Sequence, residues 1–141
     1  MGMIDATILA KRVLVMDDMA SIRDAMIMAL KGLGFTNITQ AIDGQQGIEK
    51  VAALGAEKPF ELIFSDIMMP KCTGIEFLKK LRALEYGKKI PVIMVTSENE
   101  LSTVLEAVEA GANSYVLKPF TPKMIEQKIV EVFTKKAAAQ K

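Results

Sequence analysis

Short apolar runs alternate along the chain with stretches whose apolar positions recur every three or four residues. The runs are Val13-Leu14-Val15-Met16, Leu62-Ile63-Phe64, Val92-Ile93-Met94-Val95 and Tyr115-Val116-Leu117. None alternates apolar with polar, which is the pattern of parallel strands covered on both faces. Ile38-Thr39-Gln40-Ala41 is half polar and suits an edge strand. Between the runs the helical period takes over. Ile22, Ala25, Met26, Ala29, Leu30 and Leu33 make one stripe, and Ile48, Val51 and Ala52 a second. Gly74, Phe77, Leu78 and Leu81 form a third, Leu101, Val104, Leu105 and Val108 a fourth, and Ile125, Ile129, Val132 and Phe133 a fifth.

The residues between these elements punctuate them. Ser21-x-x-Asp24 and Ser97-x-x-Glu100 have the form of capping boxes. Thr121-Pro122 sets a capping hydroxyl before a first-turn proline. Gly32 or Gly34, Gly55, Gly87 and Gly111 fall where helices are expected to stop. Five βα units in succession predict an α/β fold, a parallel sheet with helices on both faces. At 141 residues the chain fits one domain. Residues 1–10 read as a leader and 137–141 as a tail, with the last helix fraying from Thr134 and no output domain to follow.

Composition removes whole classes of chemistry. There is no histidine, so triads and His-ligated zinc are excluded. A lone cysteine, Cys72, allows no intrachain disulfide and reads as a loop thiol. Any metal site must then use oxygen ligands, which points to a hard ion. A net charge of +1 and the absence of tryptophan argue against nucleic acid as a partner. No apolar run is long enough for membrane insertion, and no secretory signal opens the chain, so a cytoplasmic protein is expected. The ten methionines read as core filler.

What ends each strand carries the chemistry. Strand one runs into Asp17-Asp18, strand three into Ser65-Asp66, strand four into Thr96-Ser97 and strand five into Lys118-Pro119. These are carboxyl ends of parallel strands, the edge at which open α/β sheets bind ligands. With strand order 2-1-3-4-5, Asp17, Asp18 and Asp66 crowd into one crevice. Each carboxylate pair 4 Å apart then costs roughly 4 kcal/mol at an effective dielectric of about 20. Lys118 alone does not cancel three negative charges, and Mg²⁺ is the natural remedy. Mg²⁺, an amine and a hydroxyl around a carboxylate are also the parts that hold a phosphoryl group, with the carboxylate as nucleophile. Taken singly, Asp17-Asp18 would pass for turn residues, Ser97 for a cap and Lys118 for a surface amine. Four strands delivering complementary groups to one edge outweigh those readings.

In Val15-Met16-Asp17-Asp18, Ser65-Asp66-Ile67-Met68-Met69-Pro70, Met94-Val95-Thr96-Ser97-Glu98 and Tyr115-Val116-Leu117-Lys118-Pro119-Phe120, the sequence resembles the receiver domain of two-component response regulators, of the stand-alone CheY-like chemotaxis type. The resemblance covers about residues 10–136 and implies a flavodoxin-like (βα)5 three-layer sandwich. It implies that Asp66 accepts a phosphoryl group from a histidine kinase, and that Asp18, Asp66 and the Met68 backbone carbonyl ligate Mg²⁺ with Asp17 supporting. Lys118 pairs with Asp66 and then with the phosphoryl oxygens. Thr96 closes on the phosphoryl group, Tyr115 swings inward, and the peptide before Pro119 is cis. Gly74 permits a close helix approach. The switch surface is the helix over residues 101–110, strand five and the last helix, with Glu98, Leu101, Tyr115 and Lys123 near it. Its partner is a downstream effector protein, a flagellar motor switch being one, and the protein is expected to be a monomer.

Two positions depart from the family pattern. Met68 stands two residues after Asp66, where the best-known relative has a polar side chain that orients the hydrolytic water. Slow autodephosphorylation follows as an expectation, with Glu98 the remaining polar guide. Ser97 replaces a smaller residue and narrows access. Beside the response-regulator reading stand a phosphorelay intermediate or phosphate sink, a phosphorylation-dead scaffold, a flavin-binding module and a Mg²⁺-dependent aspartate-nucleophile phosphatase. The last would need an Asp-x-Asp motif after strand one and a cap domain, and neither is present. On the favoured reading the chain is no enzyme beyond catalysing its own phosphorylation and dephosphorylation.

Overall fold

A computed structural model describes residues 4–97 and 101–139. Among them are five strands, β1 (Val13–Met16), β2 (Ile38–Ala41), β3 (Leu62–Ser65), β4 (Val92–Thr96) and β5 (Ser114–Leu117). The helices are α1 (Ala6–Leu9), α2 (Ala20–Leu33), α3 (Gly44–Leu54), α4 (Gly74–Ala83), α5 (Leu101–Glu109) and α6 (Pro122–Ala139), with one 3-10 turn at Glu85–Gly87. All strands pair in parallel in the order β2-β1-β3-β4-β5. This is the parallel sheet expected from the alternation of apolar runs and helical stripes, in the flavodoxin-like three-layer form that the family resemblance implies.

Strand parity divides the core in two. Leu14, Met16, Ile63, Val92 and Met94 face the layer that contains Val51, Phe77 and Leu78. Val13, Val15, Phe64, Ile93 and Val95 face the layer that contains Met26, Leu30, Ile125 and Ile129. The central strands are buried on both faces, which is why they read as unbroken apolar runs. β2 is an edge strand, as its half-polar composition foretells.

Several local expectations are corrected. The supposed leader contributes α1, and Ile4, Ile8 and Leu9 pack against the second core, so the chain gains a helix before its first strand. α2 starts at Ala20 with Met19 as its N-cap and no side-chain cap, so Ser21-x-x-Asp24 is no capping box. The Ser97-x-x-Glu100 box lies partly outside the described residues. Gly87 does not stop a helix, because α4 ends at Ala83 and Gly87 closes the 3-10 turn. The tail's first residues are helical, since α6 continues to Ala139. Ala52 is exposed, and the inner face of α3 is formed by Gly47, Ile48 and Val51. Cys72 is buried in the first core, where Gly44 packs closely against it. Met19, Met28 and Met68 stand in solvent, so core filling accounts for only some of the methionines.

The largest departure concerns α5. Of its apolar stripe, Leu101 is 70%, Leu105 51% and Val108 52% exposed, and Ala107 is the buried residue of the helix. The helix docks through Ala107 with Val104 half-buried, and turns Leu101, Leu105 and Val108 outward.

Candidate functional site

Register assembles the site. Met16 pairs with Ser65 across β1 and β3, so Asp17 and Asp66 follow at the same level on neighbouring strands. The ladder runs one residue past the strand ends: Asp17 N–H donates to the Ala41 carbonyl, Asp66 N–H to the Met16 carbonyl and Lys118 N–H to the Thr96 carbonyl. Backbone hydrogen bonds therefore hold three of the polar groups at fixed heights on one edge.

Asp17, Asp18 and Asp66 each present a carboxylate oxygen within 4.8 Å of the others. Asp17 and Asp66 are buried and Asp18 is exposed. The Lys118 ammonium donates to Asp17 Oδ2 at 2.7 Å and to Asp66 Oδ2 at 3.0 Å. Asp17 Oδ1 accepts from the Met19 N–H at 2.9 Å, and Asp66 Oδ1 from the Met68 N–H at 3.3 Å. Burial pushes the Asp66 carboxyl above the usual carboxylate range, against the pull of Lys118. Burial alone would lower the Lys118 amine, but its bonds to Asp17 and Asp66 outweigh that and hold it above the ordinary lysine value. One amine thus serves a cluster of three carboxylates.

Thr96 is buried at the end of β4. The Lys118–Pro119 peptide is cis. Tyr115 is 40% exposed, its ring beneath the Lys128 ammonium at 5.8 Å, so it lies at the rim and outside the core. Met68 directs its side chain to solvent, while its backbone N–H stays on Asp66. Glu98 lies outside the described residues. A Cβ on Gly74 would stand 2.1 Å from the Asp66 carbonyl oxygen, so only glycine lets α4 begin this close to the site.

Two contributors lie outside the residues that the strand ends single out. Arg23 donates from Nη1 to the Asp17 carbonyl at 2.8 Å and from Nε to Gln40 Oε1 at 3.1 Å, tying the acidic loop to α2 and β2. No spacing rule singles out an arginine whose partner is a backbone oxygen. Asp43 is buried and caps α3 through the Gln46 N–H at 2.7 Å. That cap was visible as Asp43-x-x-Gln46, a capping signature before an apolar stripe.

The donor set fits a hard cation. Among the described residues, carboxylate oxygens on three residues gather in one place, Lys118 bonds two of them, and no histidine or thiolate takes part.

Comparison with known proteins gives a consistent picture. The model of the response regulator receiver domain family matches residues 13–130. The chain is 37% identical over 122 residues to the chemotaxis protein CheY of Pseudomonas aeruginosa, covering 86% of this chain and 95% of that one. It is 34% identical over 122 residues to the chemotaxis protein CheY-3 of Vibrio cholerae, covering 86% and 91%. The solved structure of the chemotaxis response regulator CheY4 of Vibrio cholerae superposes with a TM-score of 0.78 at 32% identity, covering 87% of this chain and 98% of that one.

Proposed function

Because the chain belongs to the response regulator receiver domain family, we propose that Asp66 accepts a phosphoryl group from a histidine kinase in a Mg²⁺-dependent reaction. The observation that carries this reading is the gathering of Asp17, Asp18 and Asp66 within 4.8 Å around one lysine. An Asp66 carboxylate oxygen attacks phosphorus, the bond from phosphorus to the donor nitrogen breaks, and the nitrogen keeps the electron pair. Asp18, Asp66 and the Met68 carbonyl would hold Mg²⁺, with Asp17 in support. When bound, the ion would spread the charge of the phosphoryl oxygens. Lys118 orients Asp66 beforehand and turns to a phosphoryl oxygen afterwards, while Asp17 keeps its hold on the amine.

The new charge draws Thr96 and Lys118 inward, and Tyr115 follows from the rim. This biases the α5–β5–α6 face toward a form that binds a downstream protein. The exposed side chains of Leu101, Leu105, Val108, Tyr115 and Leu117 supply apolar contacts for such a partner. The names of the relatives favour chemotaxis, and on our reading a flagellar motor switch is one such output. The chain is otherwise no enzyme, and works as a cytoplasmic monomer. Among the described residues no helix is long and apolar enough to cross a membrane.

The test is incubation with a small phosphodonor, with and without Mg²⁺, comparing wild type with Asp66→Asn by intact mass. Wild type gains one phosphoryl group only with the metal. Labelling that persists in the variant or without metal overturns the proposal.

A further inference from the structure

We propose that the amino-terminal edge of the sheet carries a second site, a cleft that binds a ligand bearing two or more condensed phosphates. The cleft measures about 500 Å³, within the usual range for small-ligand sites. Lys88 and Lys89 reach it from the segment before β4, Asn113 from the residue before β5, and Lys135 and Lys136 from the last part of α6. These positions lie at the strand ends opposite Asp66. The length of β4, roughly 16 Å, separates the cleft from the acidic cluster.

Its polar lining offers donors. Asn113 Oδ1 already accepts from the Val92 N–H at 2.8 Å and from Arg82 Nη2 at 3.0 Å, which leaves the amide NH₂ for a ligand. Lys136 Nζ donates to the Lys89 carbonyl at 3.1 Å, which holds the amine against the cleft wall. Burial above all, with Lys11, Lys89 and Arg82 adding to it and Glu61 opposing, pushes that amine below the ordinary lysine value, and a bound anion offsets the lost hydration. Lys88 and Lys135 are paired with Glu85 at 2.9 Å and Glu131 at 3.3 Å, and neither carboxylate lines the cleft. Four lysines line this cleft, two of them held by carboxylates outside its wall, and the set calls for dense negative charge. Carboxylates on one side of an extended acidic peptide recur only every ~7 Å, whereas a di- or triphosphate concentrates its charge within that span. A second, largely apolar cavity of about 270 Å³ shares Lys89, Pro91 and Lys136 and has Tyr86 and Phe133 in its wall beside the paired Lys11 and Glu61. It offers a place for a flat organic group attached to the phosphates.

Calorimetric titration in EDTA at about 0.15 M salt tests this. Without metal the acidic cluster repels phosphate, so the result does not depend on the phosphoacceptor reading. Tripolyphosphate is expected to bind saturably with one ligand per chain. If ATP binds more tightly than tripolyphosphate, the ligand is a nucleotide seated in the apolar cavity; equal affinity makes it an inorganic oligophosphate. Lys89→Gln/Lys136→Gln weakens binding at least about fivefold, the order for two partly exposed charged contacts. Lys88→Gln/Lys135→Gln weakens it independently. Lys79→Gln/Lys80→Gln removes the same charge from residues lining neither cavity and changes affinity less than about twofold. No saturable binding of either probe overturns the proposal. So does an equal loss in all three double variants, because net charge and not the cleft would then be responsible.

Discussion

The Lys118 ammonium lies 2.7 Å from Asp17 and 3.0 Å from Asp66, so the amine is shared between a carboxylate proposed to be phosphorylated and one that is not. Both carboxylates are nearly sealed from solvent, with side-chain exposures of 3% and 9%. Neither is well placed to recover hydration if the amine is lost.

Lys118→Met is therefore expected to cost about 3 kcal/mol of folding stability in metal-free buffer, because it strands buried charge. Lys118→Met/Asp66→Asn regains part of that loss by removing one of the stranded carboxylates. Urea unfolding in EDTA measures both. A double variant no more stable than Lys118→Met would contradict the shared-amine account.

The Asp66 carboxyl makes a pH prediction. Burial raises its pKa above the ordinary value of 3.8, so the folded chain keeps a proton that the unfolded chain has already released. Ionising Asp66 thus subtracts from stability. The penalty is absent below the unfolded-state pKa, grows as pH rises through the window between the two values, and is complete above the folded one. In EDTA at pH 7, Asp66→Asn should unfold at higher urea than wild type. The gap should narrow as the pH falls through that window, and paired urea titrations at pH 7 and about pH 4 read it. A gap that widens on acidification would reverse the sign of the argument.

These features were unequally visible in the linear chain. Asp17 and Asp66 stood out because a doubly covered parallel strand is apolar until it ends, so a charge directly after it marks that edge. Lys118 instead follows an edge strand, β5, whose short apolar run exposes Tyr115 and Leu117. That Asp17 shares Lys118 was not visible, since it depends on the one-residue extension of the β1–β3 ladder. Leu101, Val104, Leu105 and Val108 read only as an apolar stripe, because periodicity reports an apolar helix face and not what covers it. The tight packing of Gly44 on Cys72 had no sequence signal, because close approach between loops leaves no period. Arg23 was silent because its acceptors are a carbonyl oxygen and a glutamine side chain, which no charge pattern flags.

Two glycines permit a comparison. A Cβ on Gly74 would meet the Asp66 carbonyl oxygen at 2.1 Å, and one on Gly47 would meet Met16 Sδ at the same distance. The first obstacle is backbone beside the site; the second is part of a flexible side chain. Gly74→Ala is expected to cost about 3 kcal/mol, whereas Gly47→Ala costs about 1 kcal/mol after the helix-propensity gain. Denaturant midpoints rank the two. Equal losses would mean that the Asp66 backbone yields as readily as a methionine side chain.

The outward face of α5 leads to the opposite kind of result. Leu105→Gln should change stability by less than about 0.5 kcal/mol, because little apolar surface is uncovered. Leu78→Ala, in the fully buried face of α4, should cost about 2–5 kcal/mol. If the α5 face receives the downstream protein, Leu105→Gln leaves phosphorylation by a small donor intact and weakens capture of the phosphorylated chain by its effector. A large loss of stability in Leu105→Gln would return that residue to the core.

On the proposed function, Met68 is expected to set how long the phosphoryl group survives. Its side chain is 62% exposed and carries no hydrogen-bond donor, so it offers an incoming water nothing to bind. Its backbone N–H on Asp66 Oδ1 is independent of the side chain, and substitution should leave phosphoacceptor geometry unchanged. Met68→Asn supplies an amide two residues after Asp66 and is expected to shorten the phosphorylated half-life about tenfold, within the range for one positioned polar group. Phosphate release after donor removal measures it, with the phosphorylation rate as the control. A wild-type half-life shorter than that of Met68→Asn would mean that another group guides the water, and the apolar position would lose its role as a timer.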